Sequence, residues 1–350
     1  EDFIHSFPHS WRSQAPLIYR TTSQWFISMS KRNLRNNAIE AIKKVKWIPS
    51  GSKNRISSMV LDRPDWCVSR QRAWGVPITI FINKETFEPI VDQELNKRII
   101  SLIDKEGVDF WFQGDKKVFL GEKYDESKYE KVTDILDVWF DSGVSHVFVL
   151  KNNGIEEKAD LYIEGSDQHR GWFQSSLIES TAIYGDSPYK SVLTHGFVLD
   201  EKGRKMSKSE GNVISPEDVI KKFGADVLRL WVATSNYKED LKISFESLER
   251  QSEIYRKIRN SLRFLLGNLK GWKNSEKVKH DHLPSLEKYI RHELHNIDKI
   301  VMQSFKDFDF HKAFKTIANF CNNELSSLFF DVRKDVLYCD LSNSHNRRSS

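Results

Sequence analysis

Leu161-Tyr162-Ile163-Glu164-Gly165-Ser166-Asp167-Gln168-His169-Arg170-Gly171-Trp172-Phe173, continuing to Ser191-Val192-Leu193-Thr194, is the stretch that decides the fold. Leu161-Tyr162-Ile163 is a short strand-like run that stops at Gly165-Ser166-Asp167. A helix-like pattern follows from about Arg170 to Tyr184, and Gly185 ends it as a glycine just past a helix does. Ser191–Thr194 is a second strand. Strand, helix and strand in this spacing form a βαβ unit, which predicts a parallel sheet. Ligands of open parallel sheets bind beyond the carboxyl ends of the strands. Glu164 and Asp167 stand where the first strand ends, and His195 and Val198 where the second ends. A carboxylate at such a place can hold an α-ammonium group by a charge-assisted hydrogen bond.

Outward from this unit, residues 131–245 keep the α/β texture. Ser215-Pro216-Glu217-Asp218 reads as a helix start, with a capping serine, proline at the first helical position and acids in the first turn. Gly224 would close that helix. From about 246 the pattern turns helical. Ile254, Ile258, Leu262, Leu265 and Leu269 recur at spacings of three and four, as do Leu286, Ile290, Leu294, Ile297 and Val301, and then Phe310, Phe314, Ile317, Phe320 and Cys321. Three amphipathic helices make a bundle. Toward the other end, residues 1–130 mix short apolar runs with Trp-rich polar strings, and around 81–130 charge density rises while periodicity fades. The expected fold is α/β: a Rossmann-like parallel-sheet domain over residues 1–245 with an insertion near 81–130, then an all-α bundle over 246–350.

The composition fits two or three globular domains, with 350 residues, 39% of them hydrophobic and 29% charged. Lysine and arginine number 54 against 49 acids, so the net charge of +5 permits a nucleic-acid partner without arguing for one. The three cysteines, Cys67, Cys321 and Cys339, form no C-x-x-C pair. Neither a disulfide framework nor a cysteine-rich zinc site is indicated, and a reducing cytoplasm is the simplest setting. No apolar run approaches the roughly 20 residues that span a bilayer, and no signal peptide is visible. Both ends read as cuts.

Gly203-Arg204-Lys205-Met206-Ser207-Lys208-Ser209-Glu210-Gly211-Asn212 carries the sharpest chemical signal. Two lysines stand three apart beside small hydroxyl residues, with glycines on both sides. Glycine lets a loop move and lets backbone approach a ligand closely. Two ammonium groups on such a loop suit a polyphosphate, because they stabilise a leaving pyrophosphate. A solvated basic turn is the plainer reading of an arbitrary Lys-x-x-Lys.

Lys205-Met206-Ser207-Lys208-Ser209 is the KMSKS signature of the class I aminoacyl-tRNA synthetases, and the resemblance extends over essentially the whole chain. Thr194-His195-Gly196-Phe197-Val198 resembles the strand that leads into that loop, and Gly224-Ala225-Asp226-Val227-Leu228-Arg229 the segment that follows it in the isoleucine, valine and leucine enzymes. Asp137-Val138-Trp139-Phe140-Asp141-Ser142-Gly143 and Trp66-Cys67-Val68-Ser69-Arg70-Gln71-Arg72-Ala73-Trp74-Gly75 match as well. Within the subclass, Glu164–Phe173 looks like the motif of the bacterial-type isoleucine enzymes.

The resemblance implies an ATP-dependent isoleucine–tRNA ligase that forms isoleucyl-adenylate and passes the acyl group to tRNA(Ile). Lys205 and Lys208 would be catalytic. Glu164, Gly165, Asp167, Gln168, Trp139 and Trp172 would hold the amino acid and adenylate, with the two tryptophans walling an apolar pocket. His195, Val198, Met206, Ser207, Lys208 and Ser209 would meet ATP. Plainer readings stand beside these: a tryptophan in core, Asp167 as a helix N-cap, Gly165 as a turn, His195 as a structural histidine. Mg²⁺ would arrive with ATP and need no dedicated cage. The helical region would bind tRNA, with Arg256, Lys257, Arg259 and Arg263 able to meet phosphates or merely to solvate a helix face. A cytoplasmic monomer without membrane contact is implied.

The chain also departs from the family. The HIGH motif and the threonine-rich editing domain are absent, so residues 1–350 alone are expected neither to activate isoleucine well nor to edit. Ser10 and Ser13 stand where many relatives carry zinc-binding cysteines, so zinc is not supported within this chain and no metal site is expected. Rival readings are a valyl- or leucyl-tRNA synthetase of the same subclass, or an inactive tRNA-binding half-gene fragment.

Overall fold

A computed structural model describes residues 5–10 and 13–350. Trp11 and Arg12, inside the Ser10–Ser13 string, lie outside the described residues. In chain order, β1 (Phe26–Ile27), α1 (Leu34–Lys44), β2 (Lys46–Ile48), α2 (Ser52–Leu61), β3 (Trp66–Cys67) and β4 (Ser69–Arg70) come first. Residues 81–131 then supply β5 (Phe81–Asn83), α3 (Gln93–Glu106), α4 (Phe110–Gln113), α5 (Lys116–Leu120) and β6 (Tyr129–Lys131). After them come β7 (Ile135–Leu136), α6 (Val138–Gly143), β8 (Tyr162–Gly165), α7 (Trp172–Tyr184) and β9 (Ser191–His195).

The expected βαβ unit is present as β8, α7 and β9, and β2 joins it in a three-stranded sheet of order β2-β9-β8. Just ahead of the strands, Ala159 bridges Tyr189 in parallel, as the crossover connection requires. The helix starts at Trp172 rather than near Arg170. Ser166–His169 winds first into a 3₁₀ turn, and Gly171 at φ −113°, ψ −121° leaves the helical region. At the other end Gly185 takes the left-handed conformation, φ 75° and ψ 6°, and returns its N–H to the Thr181 carbonyl at 3.0 Å.

Two compact units result. The first comprises the chain up to Tyr162 together with Asp167–Val192, and the second Ile163–Ser166 together with Leu193–Ser350. The core of the first unit gathers Ala38, Ala41 and Ile42 of α1 with Trp47, Phe173, Leu177, Ile178 and Tyr189. The Tyr189 hydroxyl donates to the Phe173 carbonyl at 3.0 Å, so the largest polar intruder is satisfied. From Phe173 to Thr181 helix α7 is buried all round, with Gln174, Ser175, Ser176 and Glu179 as covered as Leu177 and Ile178. Each fully buried Phe or Leu side chain stabilises by about 1.5–3 kcal/mol.

Residues 81–120 share a separate core of Phe81, Leu95, Ile99, Trp111, Phe119 and Leu120. Strands β5 and β6 pair antiparallel with Phe81 opposite Lys131. The fully buried Trp111 donates its indole N–H to the Val132 carbonyl at 2.8 Å. Asp92 caps α3, and its hydrogen bonds from Lys123 and Tyr124 hold its carboxyl well below the usual carboxylate range.

In the second unit β10 (Val198–Leu199), α8 (Pro216–Phe223), α9 (Ala225–Thr234) and β11 (Leu241–Lys242) precede α10 (Phe245–Asn268), α11 (Ser285–Lys306), α12 (Phe310–Phe320), α13 (Phe330–Cys339) and α14 (His345–Ser349). The Ser215 hydroxyl accepts the Asp218 N–H at 3.1 Å, as the cap signal predicts. Gly224 closes α8 and opens α9 at φ 88°, ψ 157°. Three helices were expected beyond 246, but the chain continues through a π-type segment, Cys321–Phe329, into α13 and α14. The apolar stripe of α10 is also offset. Ile258 and Leu265 reach the bundle core, whereas Leu262 and Leu269 are exposed and Leu248, Gln251 and Ser261 are buried. On α11, Leu294 is likewise exposed.

Candidate active site

In the first unit the candidate Trp139 lies on α6. Asp137 caps it, accepting the Trp139 backbone N–H at 3.3 Å. The same buried carboxylate accepts the Trp66 indole N–H at 3.1 Å and pairs with Arg70 at 2.9 Å. Asp137 thus ties the Trp66–Gly75 string to the Asp137–Gly143 string. Trp139 stays 42% exposed, with its ring against Gly171. A Cβ on Gly171 would lie 2.7 Å from that ring and 2.5 Å from the Gln168 Oε1, so the close approach requires glycine.

Trp172 is placed differently. Its ring stacks on Tyr162 at 4.0 Å with 13° between the planes, and its indole N–H donates to the Ser145 hydroxyl at 2.9 Å. A cavity of about 340 Å³ lies beside Trp139, lined also by Arg63, Trp66, Arg70, Arg170 and Ser175, and Trp172 does not line it. Arg63 lies over the Trp66 ring at 5.2 Å and donates to Gln174. Burial pulls its pKa below the ordinary guanidinium value, against the pull of Asp137.

Asp167 and Gln168 divide the work at the head of α7. Gln168 Oε1 accepts the Trp172 N–H at 3.0 Å, and the Gln168 amide donates to Asp167 at 3.1 Å. The glutamine therefore caps the helix, and the Asp167 side chain remains exposed. The plainer N-cap reading of Asp167 does not describe this turn.

The second unit holds the remaining candidates. Glu164 is exposed on β8, and its carboxylate accepts the Gly165 N–H at 3.0 Å. His195, half-buried, donates from Nδ1 to the Gly196 carbonyl at 2.7 Å. A Cβ on Gly196 would stand 2.3 Å from the Glu239 carbonyl oxygen, so glycine is required here too. Beyond it, exposed Val198 lies on β10, which runs parallel to β11 with Val198 opposite Leu241.

The loop then turns back on itself. Leu199 bridges Lys205 antiparallel, and Gly203, at φ 77°, donates to the Asp200 carbonyl at 2.9 Å. Asp200 is the brace. Its carboxylate accepts the Arg204 backbone N–H at 2.7 Å, the Arg204 Nε–H at 3.0 Å and the Asn212 amide at 2.9 Å. Those donors, the Arg204 backbone first, pull its pKa down to about 2. Asn212 in turn accepts the Ser207 N–H at 2.9 Å. The Ser207 hydroxyl lies 3.1 Å from that of Ser209 and caps a 3₁₀ turn over Lys208–Glu210. Met206 packs on a core of Val219, Trp231, Ile243 and Leu248. Lys205 and Lys208 point outward, exposed, with no ion-pair partner among the described residues.

Asp200 and Asn212 were not singled out from sequence, although Asp200-Glu201-Lys202-Gly203 has the Asp-first, Gly-fourth signature of a type I turn. The larger cavity of the second unit, about 690 Å³, lies among α10, α11, α13 and α14 and contains none of the candidates.

Residues 12–244 match the family model described as tRNA synthetases class I (I, L, M and V), and residues 287–349 match that of the anticodon-binding domain of tRNA ligase. The isoleucine–tRNA ligase of Pelagibacter ubique is 52% identical over 100% of this chain, which covers 39% of that protein. That of Zymomonas mobilis is 53% identical over 96% of the chain, covering 37% of its length. The chain therefore spans about two fifths of the length of the curated relatives it matches. Among solved structures, Mycobacterium tuberculosis methionyl-tRNA synthetase bound by methionyl-adenylate is 16% identical at a TM-score of 0.65, over 99% of this chain and 61% of that one. That likeness speaks to fold alone, and it agrees with the βαβ sheet and helical region described above. With a family model spanning both the braced Lys-Met-Ser-Lys-Ser turn and the tryptophan wall, the chain belongs to the class I tRNA synthetases of the isoleucine, leucine, methionine and valine group.

Proposed function

We propose that the chain belongs to an isoleucine–tRNA ligase and carries its KMSKS loop and amino-acid wall. The observation that carries this reading is the loop: two exposed ammonium groups, Lys205 and Lys208, without acidic partners among the described residues, on a turn braced from beneath by Asp200 and Asn212. Such a turn offers charge to a polyphosphate at no cost in broken ion pairs. The identity near one half with isoleucine–tRNA ligases across the whole chain, together with the Glu164–Phe173 string, supports isoleucine as the amino acid.

In this reading the isoleucine carboxylate oxygen forms a bond to the α-phosphorus of ATP while the bond to the leaving pyrophosphate breaks. The terminal ribose hydroxyl of tRNA(Ile) then takes the acyl group and AMP leaves. Such chemistry needs positioning and charge stabilisation more than a protein nucleophile. Lys205 and Lys208 stabilise the departing pyrophosphate. Met206, Ser207 and Ser209 hold the loop's backbone against the nucleotide, and His195 and Val198 meet its adenosine part. Glu164 and Asp167 are the acceptors for the α-ammonium and ribose, with Gly165 and Gln168 shaping the turn between them, and Trp139 and Trp172 are the proposed side-chain walls, Trp172 from its stack on Tyr162 rather than from the cavity beside Trp139. Mg²⁺ would arrive with ATP as its counter-ion and need no dedicated cage.

The proposed division is a catalytic domain over 1–245 and an anticodon-binding domain over 246–350. Arg256, Lys257, Arg259 and Arg263 are exposed on α10, where they can meet tRNA phosphates. No described helix is long and apolar enough to cross a membrane, and a cytoplasmic monomer is the proposed state.

The test is amino-acid-dependent ATP–pyrophosphate exchange on the protein as its gene encodes it in full, with isoleucine, valine and leucine in parallel. Exchange preferring isoleucine is expected. Preference for valine or leucine would keep the family and overturn the substrate, and no exchange with any would favour a tRNA-binding fragment.

A further inference from the structure

Glu179 lies in a seam that the proposed mechanism does not use. It is 2% exposed on α7, and among the described residues neither carboxyl oxygen has a hydrogen-bond partner. Gly143, the last residue of α6, presses so close that a Cβ there would stand 2.3 Å from Glu179 Oε2. Asp141 of α6 is the charge that acts on it and Tyr162 of β8 a titratable neighbour, while His146, just past α6, holds the Gly143 carbonyl at 2.9 Å, packs its ring on Tyr184 of α7 and has its pKa lowered by burial. From α1 the same core receives only Ala38, Ala41 and Ile42 among its buried positions beyond Leu34, and the nearby Tyr189 hydroxyl is already given to Phe173. An ionised carboxylate without partners, buried beside another acid, is strongly disfavoured. Burial, and then Asp141, push its pKa up to about 9.

The two helices that close on Glu179 also carry the tryptophan wall. Trp139 is on α6 with its ring on Gly171, and Ser145, just past α6, accepts the indole N–H of Trp172. Glu179 stands seven residues beyond Trp172, two helical turns along the same face.

We propose that Glu179 is a positioning residue for amino-acid recognition: seated as an uncharged acid against Gly143, it sets the spacing of α6 and α7 and thereby the places of Trp139 and Trp172. The proposal rests on the reading of those tryptophans as the side-chain pocket. Ionising Glu179 would set it against Asp141 and push α6 away, weakening capture of the amino acid. Capture of ATP, assigned to the Lys205–Ser209 loop, would be spared.

The test uses the full protein, unsubstituted and as Glu179→Gln and Glu179→Asp, in isoleucine-dependent exchange from about pH 7 to about pH 10. Glu179→Asp shortens the acid and is expected to raise the KM for isoleucine on the order of tenfold, with kcat and the KM for ATP little changed. Glu179→Gln mimics the uncharged acid and is expected to keep the isoleucine KM at neutral pH. The substrate's own ammonium titrates in the alkaline range, so the pH reading is the ratio of the unsubstituted KM to that of Glu179→Gln. That ratio is expected to climb as pH passes about 9. A flat ratio, or a Glu179→Asp variant that changes both KM values alike, would overturn the positioning role. No isoleucine-dependent exchange in the unsubstituted protein would overturn the functional reading and this proposal with it, a result visible before any variant is made.

Discussion

The loop at residues 203–212 and the α6–α7 seam are built on opposite rules. In the loop the charges proposed for a ligand face solvent unpaired, while the groups beneath, Asp200 and Asn212, have their hydrogen bonds filled by Arg204, Lys205 and Ser207. In the seam Trp139 packs on Gly171 and Trp172 on Tyr162, yet Glu179 is buried with two carboxyl oxygens that no described group satisfies. A satisfied brace under free charges suits a segment that moves with a polyphosphate. A dry seam with an uncharged acid suits a pocket that must keep its width. Lesions in the loop should therefore appear in kcat, and lesions in the seam in amino-acid KM and in stability.

The largest effect expected is that of Lys208→Ala. It removes an exposed ammonium that the folded chain does not use, so the melting curve should not move. Exchange should fall in kcat by about 10²–10³-fold, the usual loss when one group stabilising the transition state is removed. A variant that lost affinity for isoleucine instead of turnover would erase the contrast between loop and seam. Asp200→Asn comes next. It keeps the shape but not the charge that holds Arg204, and loosening a catalytic loop by this route should lower kcat by tens of fold. Its pH signature follows from the depressed pKa of about 2. The stabilisation from Asp200 is fully present above the ordinary carboxylate value and is lost as pH falls through about 2, so acid melts of Asp200→Asn should lack that component.

On the seam side, Gly171→Ala places a methyl 2.5 Å from Gln168 Oε1 and 2.7 Å from the Trp139 ring. Both side chains must give way, the α7 cap at Trp172 with them. The expected reading is a KM for isoleucine raised about tenfold, equivalent to roughly 1.4 kcal/mol, with kcat nearly kept. Equal losses in kcat and KM would mean that wall and loop act as one device.

The contrast also explains what could be read from the residues alone. The βαβ unit and the loop were legible because their signals are local: a glycine past a helix, a proline at a helix start, two lysines three apart. The head of α7 was only half legible. Asp167 looks like a cap by residue type, but the 3₁₀ turn through Ser166–His169 hands that task to Gln168. The bundle stripe was misplaced on α10 because Leu262 and Leu269 fit the periodicity yet face solvent, while the helix packs through Leu248, Gln251, Ile258 and Ser261. Glu179 was not legible at all. A glutamate in a helix reads as a solvated position, and α7, covered on every side from Phe173 to Thr181, offers no polar face there to contradict or support that reading.

The prediction that touches catalysis least is the most diagnostic of the seam. Glu179 has an ordinary pKa of 4.5 and a folded-state value near 9. Between those two limits the folded chain holds a proton that the unfolded chain has released. Stability attached to this group is therefore complete below about 4.5 and drains away as pH rises through about 9. The slope can reach at most about 1.4 kcal/mol per pH unit for one proton. Urea melts of the unsubstituted protein across that range should show stability falling with pH, and Glu179→Gln, which has no proton to lose, should flatten that part of the curve and be the more stable protein on the alkaline side. A substitution that left the slope intact would mean that Glu179 is already ionised in the folded chain. It would then need a cationic partner, which neither Asp141 nor Tyr162 can be, and His146, bonded to the Gly143 carbonyl at 2.9 Å, would be the group to substitute next.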